Sequence, residues 1–204
     1  MKAYIRIKHT GEFYDPSCYY AYTGCRELEI PVVKYKAVYS LTDNEPDDPV
    51  VGTVSDVKVA LERFGVKLVP LDYPDELLPF TGRKIWKSTL FTITSHPEDW
   101  HVFVKPVEDI KRFHGTVLDK SEDLIKLGGG LEDIDVWCSE KVHFISEWRL
   151  WVLHGDIQGL TPYKGRWDVF PDVKVLRESV KAYKSAPAGY AIDFGVTEEG
   201  KTLL

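Results

Sequence analysis

Residues 148–163, WRLWVLHGDIQGLTPY, constrain the fold more than any other stretch of this chain. Two strand-like runs flank His154-Gly155-Asp156, so the segment reads as a β-hairpin. Its surroundings agree. HVFVKP (101–106) and FHGTVL (113–118) read as paired strands around a short charged loop, VEDIKR. VWCSEKVHFI (136–145) and AGYAIDFGVT (188–197) read as further strands. A turn at Glu198-Glu199-Gly200 leads into another strand from Lys201. Val173, Leu176, Val180 and Tyr183 form a helical stripe.

The first half has a different rhythm. AYIRIKH (3–9) and VVKYKAVYS (32–40) read as strands, and residues 41–49 as an acidic, proline-containing loop. Val54, Val57, Leu61 and Phe64 recur at i, i+3, i+7 and i+10, the apolar stripe of a helix. Thr53 or Ser55 can cap its start, and Gly65 sits where a C′ glycine would. With VKLVP (66–70) these pieces make a small α/β unit. Residues 71–89, with prolines at 74 and 79, read as a connector, so the domains are expected at 1–75 and 76–204.

At 204 residues the chain is long enough for a real core. It has 44% hydrophobic and 28% charged residues, a globular balance that excludes a disordered or collagenous chain. A net charge of −6 argues against a bulk nucleic-acid footprint. No apolar run approaches the roughly 18 residues of a membrane span. The N-terminal residues lack a signal-peptide core. Cys18, Cys25 and Cys138 are too few for a disulfide scaffold and read as reduced thiols in a cytoplasmic protein. The six histidines show no zinc spacing. Cys138 reads as core and the tryptophans as core and rim packing.

Several residues carry possible chemistry. Lys105 ends an apolar strand and reads either as a phosphate-binding lysine or as a snorkelling surface lysine. Lys111, Arg112 and Gly115 lie on a strand–loop–strand that either folds over phosphates or is a solvated tip. Glu147 and Arg149 share one face of an extended segment, either as a surface ion pair or as ribose and phosphate ligands. Asp193, within an apolar strand, calls for a cation or metal. The GGG at 128–130 lacks the Lys-Ser/Thr of a P-loop and reads as a flexible linker. Tyr14, Asp15 and Tyr19 are candidates for a substrate surface.

In order, VGTVSDVKVALERFGV, LDYPDELLPFTGRKIW, FVKPVEDIKRFHGTV, CSEKVHFISEWRLWVLHGDIQGLTPYKG and AIDFGVTEEGKTLL resemble an ATP-grasp protein of a small clade common in phage and bacterial genomes. The resemblance implies an α+β fold in which two α+β subdomains clamp ATP behind the N-terminal α/β unit. Lys105 then resembles the strand lysine on the α- and β-phosphates, and Lys84 or Lys87 the earlier lysine. Lys111 to Gly115 match the loop that closes over the phosphates. Glu140, Lys141, Val142 and His143 match the hinge that meets adenine. Glu147 falls at the ribose-binding acid, Arg149 at the arginine near the γ-phosphate or acyl phosphate, and Asp193 at the first Mg²⁺ ligand. The family supplies further metal ligands, a Glu and an Asn two residues apart, which by spacing fall just beyond Leu204. The chain stops inside an apolar run, so a tail is expected there.

The implied activity is ATP-dependent carboxylate–amine ligation through an acyl phosphate, releasing ADP and phosphate, with small-molecule or peptide substrates. Arg149, Lys164 and Arg166 are candidates to meet an anionic acceptor. Such chemistry needs fixed cations and Mg²⁺ and no protein nucleophile. Alternatives are a nucleotide-binding module without ligation and a phosphotransferase on the same scaffold. Asp193-Phe194-Gly195 also resembles a protein-kinase metal motif. However, the glycine-rich loop that should precede the strand lysine comes after it here, and no His-x-Asp lies at kinase spacing.

Overall fold

The computed structural model describes residues 1–67, 71–107, 112–130 and 132–204. The chain divides into two units, Met1–Val69 and Pro70–Leu204. The fold is α+β.

In the first unit β1 (Ala3–Arg6) lies between β2 (Val32–Tyr35) and β3 (Val50–Val51), parallel to both. Ala3, Tyr4 and Ile5 are fully buried, as the middle strand of a small parallel sheet requires. β1 is shorter than the 3–9 run predicted, and Ile7 makes only an isolated bridge to Phe13. The 32–40 strand also ends early, because Val38–Ser40 turns into a 3₁₀ segment that sends Val38 into the core. Between β1 and β2 stands α1 (Pro16–Glu27), which the apolar pattern does not announce, since Cys18 is its one buried residue. Its start signal is local: the Asp15 carboxylate accepts the Cys18 N–H at 2.9 Å and Pro16 is the first helical residue. α2 (Val54–Glu62) is the predicted helix, with Thr53 as its cap in a reciprocal box with Asp56. Of VKLVP, residues 68–70 lie outside the described residues.

The second unit holds two four-stranded antiparallel sheets. The first orders β4 (Ile85–Thr89), β7 (Asp135–Glu140), β5 (Val102–Pro106) and β6 (Thr116–Leu118). α3 (Leu90–Ser95) gives Leu90 and Ile93 to a core with Val102, Val104, Leu118, Val136 and Cys138. The second sheet orders β11 (Thr202–Leu203), β10 (Gly189–Val196), β8 (Ser146–Leu153) and β9 (Asp156–Gly165). α4 (Val173–Ala182), capped by Asp172, packs Leu176 against Leu150, Val152, Ile192 and Phe194. The predicted hairpin turns at His154 and Gly155, with φ of 51° and 82°, as a two-residue primed turn demands.

Two stretches differ from expectation. The 71–89 connector contains a 3₁₀ segment, Asp75–Phe80, and all of β4. The apolar alternation of β4 is weak because Ser88 shares the inward face with Trp86. The GGG at 128–130 closes a 3₁₀ segment, Ser121–Gly130, rather than forming a free linker. Among the described residues no helix is long and apolar enough to cross a membrane.

Candidate functional site

The pleat of the first sheet sorts its residues. Val102, Val104, Val136 and Cys138 point into the core, so their neighbours point away. Register then sets Lys87, Trp137 and Lys105 in one row across β4, β7 and β5. The Lys87 ammonium lies 4.8 Å from the Trp137 ring centroid. Lys84 precedes β4 and is not in this row: its ammonium sits near Trp86, and its backbone pairs with Glu140. On the Lys105 side, Tyr73 meets Trp137 edge-on at 5.3 Å, and Lys105 sits 4.1 Å from the Tyr73 ring centroid. Asp72 Oδ1 accepts from the Lys105 ammonium at 2.5 Å, while Asp72 Oδ2 is buried without a partner. Lys105 is therefore not a free snorkelling lysine; it grips a carboxylate.

Phe103, two residues earlier, shares this face. A Cβ on Gly115 would come within 2.4 Å of its ring, so only glycine lets the chain entering β6 cross there. Of the predicted phosphate loop, Lys111 lies outside the described residues, and Arg112 pairs with Glu132 at 2.7 Å.

On the second sheet the buried and outward faces of β8 alternate, with Trp148, Leu150 and Val152 inward and Glu147, Arg149 and Trp151 outward. Asp193 of β10 stands directly opposite Arg149. Their side chains form a fork: Nε donates to Oδ1 and Nη2 to Oδ2, both at 2.7 Å. Hydrogen bonding to Asp193 raises the Arg149 guanidinium pKa further. Asp193, read from the sequence as a carboxylate in need of a cation or metal, lies on the outward face, 42% exposed, and meets Arg149. Glu147 accepts from the Tyr163 hydroxyl at 2.9 Å and from the Lys164 ammonium at 2.5 Å. Burial, with the charges of Asp193 and Glu147 beside it, pushes the Tyr163 hydroxyl pKa up. Arg166 pairs with Asp168.

Glu140 closes β7 and exchanges two hydrogen bonds with Lys84, its carboxylate accepting the Lys84 N–H at 2.9 Å. The next N–H groups, of Lys141, Val142 and His143, have no protein partner among the described residues. The Lys141 ammonium reaches Asp119 at 2.6 Å, and with His101 it holds that carboxyl below its ordinary range. His143 is exposed, 3.9 Å from Glu198.

A cavity of about 310 Å³ within the second unit brings some of these residues together, while Lys84, Lys87, Gly115, Arg149 and residues 140–143 lie outside its lining. Phe103 and Lys105 of one sheet and Glu147 and Asp193 of the other line it, with Asp72 and Arg83. Arg83, Asp72 and Tyr190 were not predicted. Arg83 donates to the Thr81 carbonyl at 2.9 Å and reaches Ser139, and the Tyr190 hydroxyl is buried without a partner. Only the basic pair Arg83-Lys84 before a strand hinted at the first; nothing local marked the other two. Phe144 reaches the cavity because Gly195 is bare, a Cβ there falling 2.2 Å from the ring.

The donor set distinguishes two ligands. An anion fits at Lys105, whose ammonium already binds a carboxylate, whereas Asp72 Oδ2, without a partner among the described residues, calls for a donor or a cation. Nucleotide-bound Mg²⁺ takes one or two protein carboxylates beside phosphates and water; among the described residues no three His, Cys, Asp or Glu side chains converge, and Asp193 is paired with Arg149. Tyr14, Asp15 and Tyr19 in the first unit have local roles. Asp15 caps α1, the Arg6 guanidinium lies 4.0 Å from the Tyr14 ring, and Tyr19 packs against Phe13. Cys138 is core, its thiol pushed up to about 11 by burial.

Comparison with solved structures gives the same fold at low identity. D-alanine–D-alanine ligase from Bacillus anthracis matches with a TM-score of 0.61 at 10% identity, over 100% of this chain and 84% of the ligase. The macrocyclase MdnC, bound with precursor peptide MdnA from Microcystis aeruginosa, matches at 0.55 and 12%, over 98% and 88%. D-cycloserine synthetase DcsG matches at 0.55 and 12%, over 100% and 89%. No curated protein matches in sequence. A family profile matches residues 80–204, more than half of the sequence and all of both four-stranded sheets, and by that match the chain belongs to the ATP-grasp domain, R2K clade family 2.

Proposed function

We propose that this protein is an ATP-dependent ligase that joins a carboxylate to an amine through an acyl phosphate, releasing ADP and phosphate. One observation carries the reading. A cavity lined from both sheets has at its wall a lysine, Lys105, that already holds an oxyanion. The family membership and the ligases among the structural relatives support the same class.

ATP, when bound, supplies the phosphoryl group that activates the carboxylate. Lys105, with Lys87 behind Trp137 in the same row, holds the phosphate oxygens in place of Asp72. The free N–H groups at 141–143 meet the adenine edge, with Glu140 bracing the hinge through Lys84. Glu147 accepts from the ribose hydroxyls, with Tyr163 and Lys164 fixing its rotamer. Arg149 stabilises charge on the acyl phosphate oxygens, its planar fork aimed by Asp193. Gly115 lets the chain entering β6 lie close to Phe103 at the cavity wall. Asp193 would hold Mg²⁺ once released from Arg149, and the ion would neutralise charge on the phosphate oxygens. The substrates are a small-molecule or peptide carboxylate and an amine.

A second reading, nucleotide binding without ligation, draws on Asp193 being taken up by Arg149. Two measurements separate them. Equilibrium binding of a non-hydrolysable ATP analogue, with and without EDTA, tests the clamp, and absence of binding in both overturns either reading. ADP release on adding carboxylate and amine pairs tests ligation. Binding with no release across amino acids, peptides and small carboxylic acids leaves only the second.

A further inference from the structure

The second unit carries a separate groove of about 800 Å³ where α4 ends beside the tip of the β8–β9 hairpin. Ile157, Val180 and Pro187 contribute apolar surface to it. Arg177, Lys181 and Lys184 line one side and His154 the tip, with Asp156 the one carboxylate in the lining. The tip is fixed against the far wall, since the His154 N–H donates to the Ala188 carbonyl at 2.6 Å.

The charges are the informative part. This chain has a net charge of −6, yet the groove has three permanent cations against Asp156. Among the described residues Arg177, Lys181 and Lys184 have no ion-pair partner, whereas Lys174 on the same helix has Glu178. Helix-dipole compensation explains a cation in the last turn, where Lys181 lies, but not Arg177 earlier in α4 or Lys184 beyond it. Arg177 and Lys181, at i and i+4, stand about 6 Å apart along one face of α4, and Lys184 follows just past its end. An extended peptide repeats its side-chain direction every ~6.6 Å. Carboxylates at alternate positions of such a peptide meet the cations, and the apolar residues between them meet Ile157, Val180 and Pro187.

We infer that this groove docks an acidic, extended segment of a partner polypeptide in which acidic and apolar residues alternate. None of the three cations lines the nucleotide cavity, so docking here stands or falls apart from that site. A nucleic acid strand would satisfy the cations but waste the apolar floor. A small anion would need neither the length nor the floor.

The test is fluorescence anisotropy of the intact chain with a labelled peptide alternating glutamate and leucine. The comparison probes are the matching lysine–leucine peptide, labelled single-stranded DNA, and inorganic phosphate as competitor. The expected result is binding of the acidic peptide alone, weakening as salt rises. The triple variant Arg177→Glu, Lys181→Glu, Lys184→Glu is expected to weaken it by roughly tenfold or more. Lys174→Glu is expected to leave it unchanged. Thermal melting checks that the triple variant folds. Should it not, Lys184→Glu alone, outside the helix, is expected to weaken binding measurably. No binding, equal binding of the lysine peptide, tighter binding of DNA, full displacement by phosphate, or indifference to Lys184→Glu would each overturn the inference.

Discussion

The two sheets of the second unit obey the same pleat and present opposite electrostatics. On the sheet of β4 to β7 the outward row is Lys87, Trp137 and Lys105, with aromatic rings between the cations and no carboxylate of the sheet itself. Among the described residues the anion paired with this row is Asp72, from the stretch before β4. On the sheet of β8 to β11 the charges pair across adjacent strands, Arg149 with Asp193 and Glu147 with Lys164. A row whose counter-ion is borrowed from a connector can exchange it for a ligand. A row neutralised within its own sheet is already positioned, and acts by geometry rather than by affinity. The first sheet is thus suited to holding phosphate, the second to orienting a reacting group.

Three variants break or sharpen that contrast, and two more test the packing beneath it. The largest effect is expected at Arg149. Arg149→Ala should lower turnover by about 10²–10³-fold, as loss of a transition-state donor does, with nucleotide affinity nearly unchanged. ADP release set against analogue binding checks this, and an equal loss in both would break the division of roles. Next comes Lys105→Ala, which removes a charge-assisted contact worth roughly tenfold to a hundredfold in analogue affinity. Unchanged affinity by calorimetry would take Lys105 out of the site.

Asp72→Asn should act in the opposite direction. It removes the resident anion while keeping its shape, and nucleotide binding should tighten by about two- to fivefold. Weaker binding would show that Asp72 supports the site rather than competing for it.

The smallest effects concern pH. Asp123 accepts from Lys126 and from the N–H groups of Asp119 and Lys120, which hold its carboxyl below the ordinary range. A lowered carboxylate contributes stability above its ordinary value and loses it as pH falls through the lowered one. Melting temperature should therefore fall less steeply below pH ~4 in Asp123→Asn than in the parent. Burial raises Cys138 to about 11 from 9.0, so its contribution is intact below 9.0 and lost as pH rises through that window. Cys138→Ala should flatten the alkaline limb of the same curve.

Legibility in the sequence tracked the range of the forces involved. The hairpin over 148–163 was readable because a two-residue turn and flanking alternation are local signals. α2 and α4 were readable from their stripes and caps. α1 was not, because a helix that buries little has no stripe, and its signal was only Asp15-Pro16. β4 was not, because its inward face carries Ser88 beside Trp86 and so shows little apolar alternation. Lys105, Glu147, Arg149 and Asp193 could be singled out as charged residues in apolar runs. Their partners Asp72 and Tyr163 could not, nor could Arg83, which lines the same cavity.

By itself the sequence determined which segments become strands and helices where apolar periodicity was strong. Through the order of its motifs it also determined the ATP-grasp family. Tertiary structure alone decided which charge meets which. Register placed Asp193 opposite Arg149, and a connector brought Asp72 to Lys105 across 33 residues of sequence. Local propensity acts over a few bonds, whereas an ion pair forms between whichever groups the packed sheets bring within reach.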